Sequence, residues 1–417
     1  MTQASQQKKP GKSRSFPRIL SLVLLVLLVA AAFVYVPMWM NSYRQGQLRT
    51  LSLAELEQLS KNQPGNTEAL YRLGVANGRE GRYPDAVRTF LAVLEKEPTR
   101  ADALNDLGVT YMLMERYYEA LVAFQGALQI KPDYATAHAN LGRLYLATKM
   151  PFSANRQLQR AVELNPRDLD ALCDLGEAGQ QTLNLQQAED SYKKALAIND
   201  RHAPAYIGLG KTFYSRGRLA DAEQMVRKAL TLDPESSVAL VTLARLRLDK
   251  PSASDTDLQE AWDYLQNALK TDPQNAEIWY DLGRISLRRN QPVEAIEHLK
   301  KALTISPQHM GGMQQIERAL RLAGRAADAD RVSRVMRERA LRDREETRLE
   351  ETVRRSPNDW DSQAKLAQLY TMSGKRGLAM LIVRRMQQEA PQHPALPSLQ
   401  QALNAMQTQQ NIPNSRP

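Results

Sequence analysis

Residues 104–132 read LNDLGVTYMLMERYYEALVAFQGALQIKP, and the spacing within this stretch decides the fold. Leu107-Gly108 is followed by Ala120, twelve residues after the glycine, then by Phe124, Ala127 and Pro132. The same phase recurs every 34 residues in Leu73-Gly74, Leu141-Gly142, Leu175-Gly176 and Leu209-Gly210. Ala86, Ala154, Ala188 and Ala222 keep step, as do Pro64, Pro98, Pro166 and Pro234, with Asp200 as the one break. A fixed period of this length marks a stacked array of helix pairs. Glycine and alanine suit the points where two helices close on each other, and the large residues fill the space between. Proline ends the second helix because it has no N–H to donate. No single pair buries its apolar face alone, so stability comes from stacking neighbours.

These positions resemble the tetratricopeptide repeat (TPR), whose pattern is W-x2-L-G-x2-Y, then A-x3-F-x2-A, then P. The seventh copy also carries the leading tryptophan: Trp279, Leu282, Gly283, Ala295, Leu299, Ala302 and Pro307. The resemblance implies an all-α solenoid, a right-handed superhelix whose first helices (A) line a concave groove that takes protein or peptide partners. A leading half-repeat helix is expected at 52–66, where Ser52 and Glu55 form a capping box. Seven repeats follow over 67–308, with an insertion near 250–255 because Pro234 and Pro273 lie 39 residues apart. Residues 309–359 read as a degenerate repeat whose second helix runs on to about Arg355, with both charge signs mixed as on a solvated face. A degenerate last repeat is expected at 360–394, and a capping helix with a disordered tail from 407 at 395–417.

Ahead of the array, residues 19–40 read ILSLVLLVLLVAAAFVYVPMWM. At about 1.5 Å per residue the run spans roughly 33 Å, matching a bilayer core of about 30 Å. This predicts one transmembrane helix between a basic cytoplasmic tail (1–18) and a juxtamembrane linker (41–51). Lys8, Lys9, Lys12, Arg14 and Arg18 precede it without an acid, so the positive-inside tendency puts the N-terminus in the cytoplasm and the repeats outside; a resemblance in outline to bacterial envelope-biogenesis TPR proteins implies the inner membrane and the periplasm. A cleaved signal peptide ending at Ala30-Ala31-Ala32 is the competing reading, and it leaves the repeats on the same side. Lysine and arginine exceed the acids by 56 − 46 = +10. Half of that excess lies in the tail, so the charge is no argument for nucleic acid. The single cysteine, Cys173, rules out an internal disulfide and a multi-cysteine zinc site. The five histidines show no ligand spacing, and neither metal nor cofactor is expected. Gly210-Lys211-Thr212 mimics the end of a phosphate-binding loop, but Ala205 stands where that loop needs glycine. No catalytic arrangement stands out, and the chain reads as a non-enzyme.

Positions along the groove were read from the phase of the glycines. The candidate partner-binding residues are Tyr71, Val75, Asn105, Val109, Met112, Arg143, Lys211, Tyr214, Arg245, Tyr280 and Arg284. They run from apolar at the front to cationic beside tyrosines further on, which suits an extended or helical segment that is apolar at one end and acidic at the other. The family's carboxylate clamp is not reproduced: Asn140 fits one slot, but Asp170 and Asp174 replace the cations. Function is therefore read as a membrane-anchored scaffold, an envelope assembly or chaperone-like factor. The alternative is a regulatory subunit of a membrane-bound transferase or secretion complex.

Overall fold

The computed structural model describes residues 51–250 and 252–410; the expected transmembrane segment at 19–40 and residues 411–417 lie outside them. The described residues form twenty helices and no strand. The first is α1 (Leu53–Asn62), whose Ser52 side chain and Glu55 make the reciprocal capping box. Helix pairs follow: α2 (Thr67–Arg79) with α3 (Tyr83–Lys96), α4 (Ala101–Leu113) with α5 (Tyr117–Ile130), α6 (Ala135–Ala147) with α7 (Pro151–Leu164), and α8 (Leu169–Gln181) with α9 (Leu185–Ile198). Then come α10 (Ala203–Ser215) with α11 (Leu219–Leu232), α12 (Ser237–Leu248) with α13 (Asp255–Thr271), and α14 (Ala276–Arg288) with α15 (Pro292–Ile305). The series ends with α16 (Met310–Leu322), the long α17 (Ala326–Arg355), α18 (Trp360–Met372), α19 (Arg376–Glu389) and α20 (Leu396–Gln410). That last helix continues past residue 407, where the tail was expected to start. The chain divides into two compact units, with the division inside α4 between Thr110 and Tyr111.

In each unit the glycine of an A helix receives the large residue sixteen positions later on its own B helix. A Cβ on Gly74 would lie 2.7 Å from Phe90 Cε1; in the second unit, one on Gly142 would lie 2.5 Å from Leu158 Cγ, and one on Gly283 2.6 Å from Leu299 Cγ. Phe90, Leu158 and Leu299 are fully or almost fully buried there. Tyr192 on α9 is wedged twice, since a Cβ on either Gly176 of α8 or Gly208 of α10 would run into its ring. One side chain thus joins two successive pairs, and it belongs to a core cluster with Leu172, Leu209, Phe213, Val226 and Leu243.

Each B helix ends before the phased proline, but the proline is not required. At the one break, Asp200, α9 still stops at Ile198, and Asn199 N–H donates to the Ala195 carbonyl. The consensus-tryptophan slot ties this corner to the next A helix. Trp279 Nε1 donates to the Pro273 carbonyl at 3.0 Å, Gln363 Nε2 bonds the Pro357 carbonyl at 2.5 Å, and His138 Nε2 reaches the Pro132 carbonyl at 2.9 Å. His138 therefore serves the corner as a packing residue. The five inserted residues near 250 are shared between a longer A–B loop and a B helix, α13, of 17 residues where its counterparts have 14.

Eight of the turns from A to B place one residue in the left-handed region, seven positions after the glycine slot. Gly81, Gly217, Gly324 and Gly374 occupy it, but so do Glu115 (φ 56°), Lys149 (φ 60°), Leu183 (φ 60°) and Asn290 (φ 58°). A β-carbon costs roughly 1–2 kcal/mol in this conformation. Leu183 is 82% exposed, so its side chain returns little packing for that cost. Replacing Leu183 with Asn, which tolerates the region, is expected to stabilise the protein by about 0.5–1 kcal/mol, read as a raised denaturation midpoint.

Charge also crosses between repeats. Arg247 on α12 is almost buried and bonds Glu223 of α11 at 2.6 and 2.8 Å and Glu260 of α13 at 2.6 Å. The Arg247 hydrogen bonds, against the opposing effect of burial and with help from Arg227, pull the Glu223 carboxyl from 4.5 to about 2. A depressed carboxylate contributes stability that is complete above the unfolded value and lost as pH falls through the folded one. Unfolding midpoints should therefore decline as pH drops from 4.5 toward 2. Glu223→Gln should lower stability at neutral pH and flatten that decline.

Candidate functional site

Consecutive A helices touch one another along the second unit: α6 meets α8, α8 meets α10, α10 meets α12, α12 meets α14, and α14 meets α16. Consecutive B helices make no comparable contact among the described residues. The A helices thus form the inner face, and the candidate residues fall on it.

In the first unit, Tyr71 and Asn105 are buried and serve the wall. The Tyr71 hydroxyl donates to Asp106 Oδ2 at 2.7 Å, and Asn105 Nδ2 donates to Asp106 Oδ1 at 3.0 Å. Burial raises the Asp106 carboxyl, while those two hydrogen bonds pull the other way. The Arg100 guanidinium lies 4.4 Å from the Tyr71 ring centre and is anchored to Glu68 at 2.5 Å and Asp102 at 3.0 Å. Val75 and Val109 are half-buried.

In the second unit, Met112 is half-buried and each candidate arginine is already paired. Arg143 Nε donates to Asp174 at 2.5 Å, with Asp170 at 3.8 Å. Arg245 bonds Asp281 at 2.6 Å and Glu277 at 2.5 Å. Arg284 holds Asp281 at 2.9 Å and also Asp249, which accepts the Tyr214 hydroxyl proton as well. Burial and then the Asp249 hydrogen bond push the Tyr214 hydroxyl up to about 12. Tyr280 packs on His309, with ring centres 4.6 Å apart. Burial first, and then Asp174 and Asp170, push the Cys173 thiol up to about 12, so this cysteine is an ordinary thiol at neutral pH.

These pairs follow a rule. The residue after the glycine slot faces the residue two before the next slot, so Arg143 meets Asp174 and Arg245 meets Asp281. The acids belong to Asp-Leu-Gly tripeptides at 174–176 and 281–283, with a third at 106–108. Sequence reasoning named Asp174 only as a residue that breaks the carboxylate clamp and passed over Asp106 and Asp281, so the inner face is far less cationic than the arginines alone suggested. The ladder is interrupted in the middle. Glu177 faces the Gly208 position and Lys211 the Thr242 position, and Thr242 spends its hydroxyl on the Val238 carbonyl. Glu177 and Lys211 are exposed and make no direct ion pair among the described residues, although each lies within the other's field and Glu177 accepts a hydrogen bond from Gln181 Nε2 at 2.9 Å. Lys211 is open to solvent at its end, but dehydration by the surrounding groove atoms, and next the nearby Arg245, lower the pKa of its ammonium.

Profiles of this repeat match along the chain. Two described as Tetratricopeptide repeat cover 40–87 and 184–246, and one described as TPR repeat covers 110–149. The profile of the Cilia and flagella-associated protein 70 middle TPR-like domain covers 252–392. The chain is a tetratricopeptide-repeat protein. A tetratricopeptide repeat protein from Parabacteroides merdae superposes on this TPR chain with a TM-score of 0.53 at 19% identity, over 61% of this chain and 98% of that one. That likeness is one of fold. PilW, a type IV pilus biogenesis factor, reaches 0.45 at 21% identity, over 51% and 96%. Pseudomonas aeruginosa pilF reaches 0.42 at 19%, over 51% and 95%. Both superpose too loosely to add to the argument. No curated protein sequence matches the chain.

Asp281 is wholly buried, and its burial raises the carboxyl despite Arg245 and Arg284. Arg245→Leu removes one of its two cations and is expected to destabilise the protein by roughly 2–4 kcal/mol. The double replacement Arg245→Leu with Asp281→Leu should recover most of that loss, because an apolar pair needs no partner. Denaturant titration of the two variants checks the difference.

Proposed function

We propose that this TPR protein is a scaffold held to a membrane by residues 19–40, and that its inner face in the second unit binds an extended segment of a partner protein. The interruption of the acid–base ladder carries the reading. Flanking arginines are satisfied by their own acids and contribute rigidity, whereas Lys211 and Glu177, neither of them in a direct ion pair, present their charges to a ligand. Met112 in the same unit supplies an apolar contact that a partner can use without leaving buried polar groups unpaired. A partner segment with an acid placed for Lys211 and a base for Glu177 fits this gap.

The apolar run at 19–40 has the length of a membrane span and basic residues on one flank. Tethering raises the local concentration of the scaffold beside membrane-bound clients without any added contact. The fold and site support recognition of a partner. The anchored, extracytoplasmic assembly role is the one we favour.

A photo-crosslinking amino acid placed at Lys211 or Glu177 of the full chain, in its native cell, should trap a discrete partner polypeptide. The same group at Lys194 on the outer α9 should not. Equal trapping from both faces, or none from the inner one, would defeat the groove reading. Recovery of the full chain from carbonate-washed membranes tests the anchor separately, and its appearance in the wash would rule the anchor out.

A further inference from the structure

The last helices of the second unit are tied to its first helices by a contact that the repeat pattern does not generate. Arg384 Nη2 on α19 bonds Glu119 Oε1 on α5 at 3.0 Å, across 265 residues of sequence, and its guanidinium lies 4.5 Å from the Tyr118 ring centre. Gly377, Leu378 and Leu381 at the start of α19 close against Tyr117 and Leu121 of α5 and Tyr145 of α6, leaving a residual space of only about 10 Å³. Gln308 adds a bond from its Nε2 to the Ser373 carbonyl at 2.7 Å.

What is docked is a small body of its own. Leu349, Leu366, Tyr370, Val383, Met386 and Leu399 belong to a core cluster that contains no residue before Leu349. The preceding core ends with Ala329 and Val332. Between them α17 runs from 330 to 345 without one fully buried residue, holding to the preceding repeat through Ser333 with Glu317 and Arg339 with Gln308, so a single sparsely packed helix is the covalent bridge. The docking contact is also incompletely satisfied. Glu119 Oε2 and Arg376 Nε, the latter beside Gly377, are buried with no hydrogen-bond partner. Orphaned polar atoms lower the strength of a contact without removing its apolar fit.

We infer that residues 346–405 form a reversible latch on α5 and α6. Closed, it completes a circuit of neighbouring helices from α5 to α19, with the A helices facing inward. Opening breaks the contact with α5 and the Gln308–Ser373 bond, pivots the latch about the sparsely packed part of α17 and clears the side of the inner face. Its bearing on partner entry rests on the inner face being the binding site; the latch itself does not. Leu381 and Arg384 lie outside the small body's own core, so replacing them leaves that core intact.

The test uses the full chain with Cys173→Ser and spin labels at Gln125→Cys on α5 and Gln387→Cys on α19, both exposed. Pulsed dipolar spectroscopy should show a main short distance and a minor long one, the long one growing as salt is raised to screen the rim ion pair. Arg384→Glu, which sets two carboxylates together, should lower the short-to-long ratio about tenfold, as should Leu381→Asp. Combining Arg384→Glu with Glu119→Arg should restore part of it. One unchanged short distance in every variant would show a fixed repeat and overturn the latch, and a single long distance in the parent would show that the contact does not form. Inner-face access is read separately on the native Cys173. Arg384→Glu should speed its reaction with a polymer-linked maleimide severalfold and leave a small maleimide unaffected. Equal acceleration of both would overturn gating while leaving the distance result, and the partner reading, to stand on their own.

Discussion

The whole arrangement depends on A and B helices approaching closely enough to share a side chain. At Gly74, Gly142, Gly176, Gly210 and Gly283 helix A presents no Cβ, and a ring or branched chain from helix B occupies the space; α12 has Ala244 in that slot and α16 has Glu317. Tyr192 shows the constraint most fully, because its ring fits between Gly176 and Gly208 on two successive A helices. A longer side chain at either glycine must displace the ring, and the interior is too densely packed to absorb that. With the spacing fixed in this way, successive A helices come into contact, and residues one position after a glycine slot reach residues two before the next.

The same spacing explains what the sequence discloses and what it hides. Gly142, Ala154, Leu158 and Ala161 have almost no freedom of size, so the helix pairs are legible from residue identity alone. The left-handed corner is equally strict in backbone but not in side chain. It accepts Gly81, Glu115, Lys149 and Leu183 in turn, which conceals a period as regular as that of the glycines. Asp174 and Asp281 are hidden for another reason. Each stands about a repeat away from its arginine, and a one-dimensional reading of the groove pairs residues within a repeat. The docking of α19 on α5 lies beyond any periodic signal, since Arg384 and Glu119 come from unrelated phases. The apolar stretch at 19–40 is a matter of composition, which the described residues leave untouched.

A chain with a formal charge of +10 nonetheless shows a nearly self-neutralised inner face. Paired charges at half-buried positions contribute little net stability, but they fix geometry, because a misplaced helix leaves a dehydrated ion without its partner. The inner wall therefore combines rigid paired stretches with a short segment whose charges are open to solvent. Recognition by such a surface rests on position along the groove more than on total charge.

The interrupted ladder has a mechanical side. Rungs such as Arg143–Asp174 and Arg245–Asp281 resist separation of neighbouring A helices, in the way cross-ties stiffen a spring. From α8 through α12 those arginine–aspartate rungs are missing, and other bonds stand in their place: Gln180 of α8 donates to the Gly208 carbonyl and Thr212 hydroxyl of α10, and the Tyr214 hydroxyl of α10 donates to Asp249 at the end of α12. The wall beside Glu177 and Lys211 is thus fastened mainly by uncharged donors, so dissolved ions loosen it less than they loosen the rungs on either side.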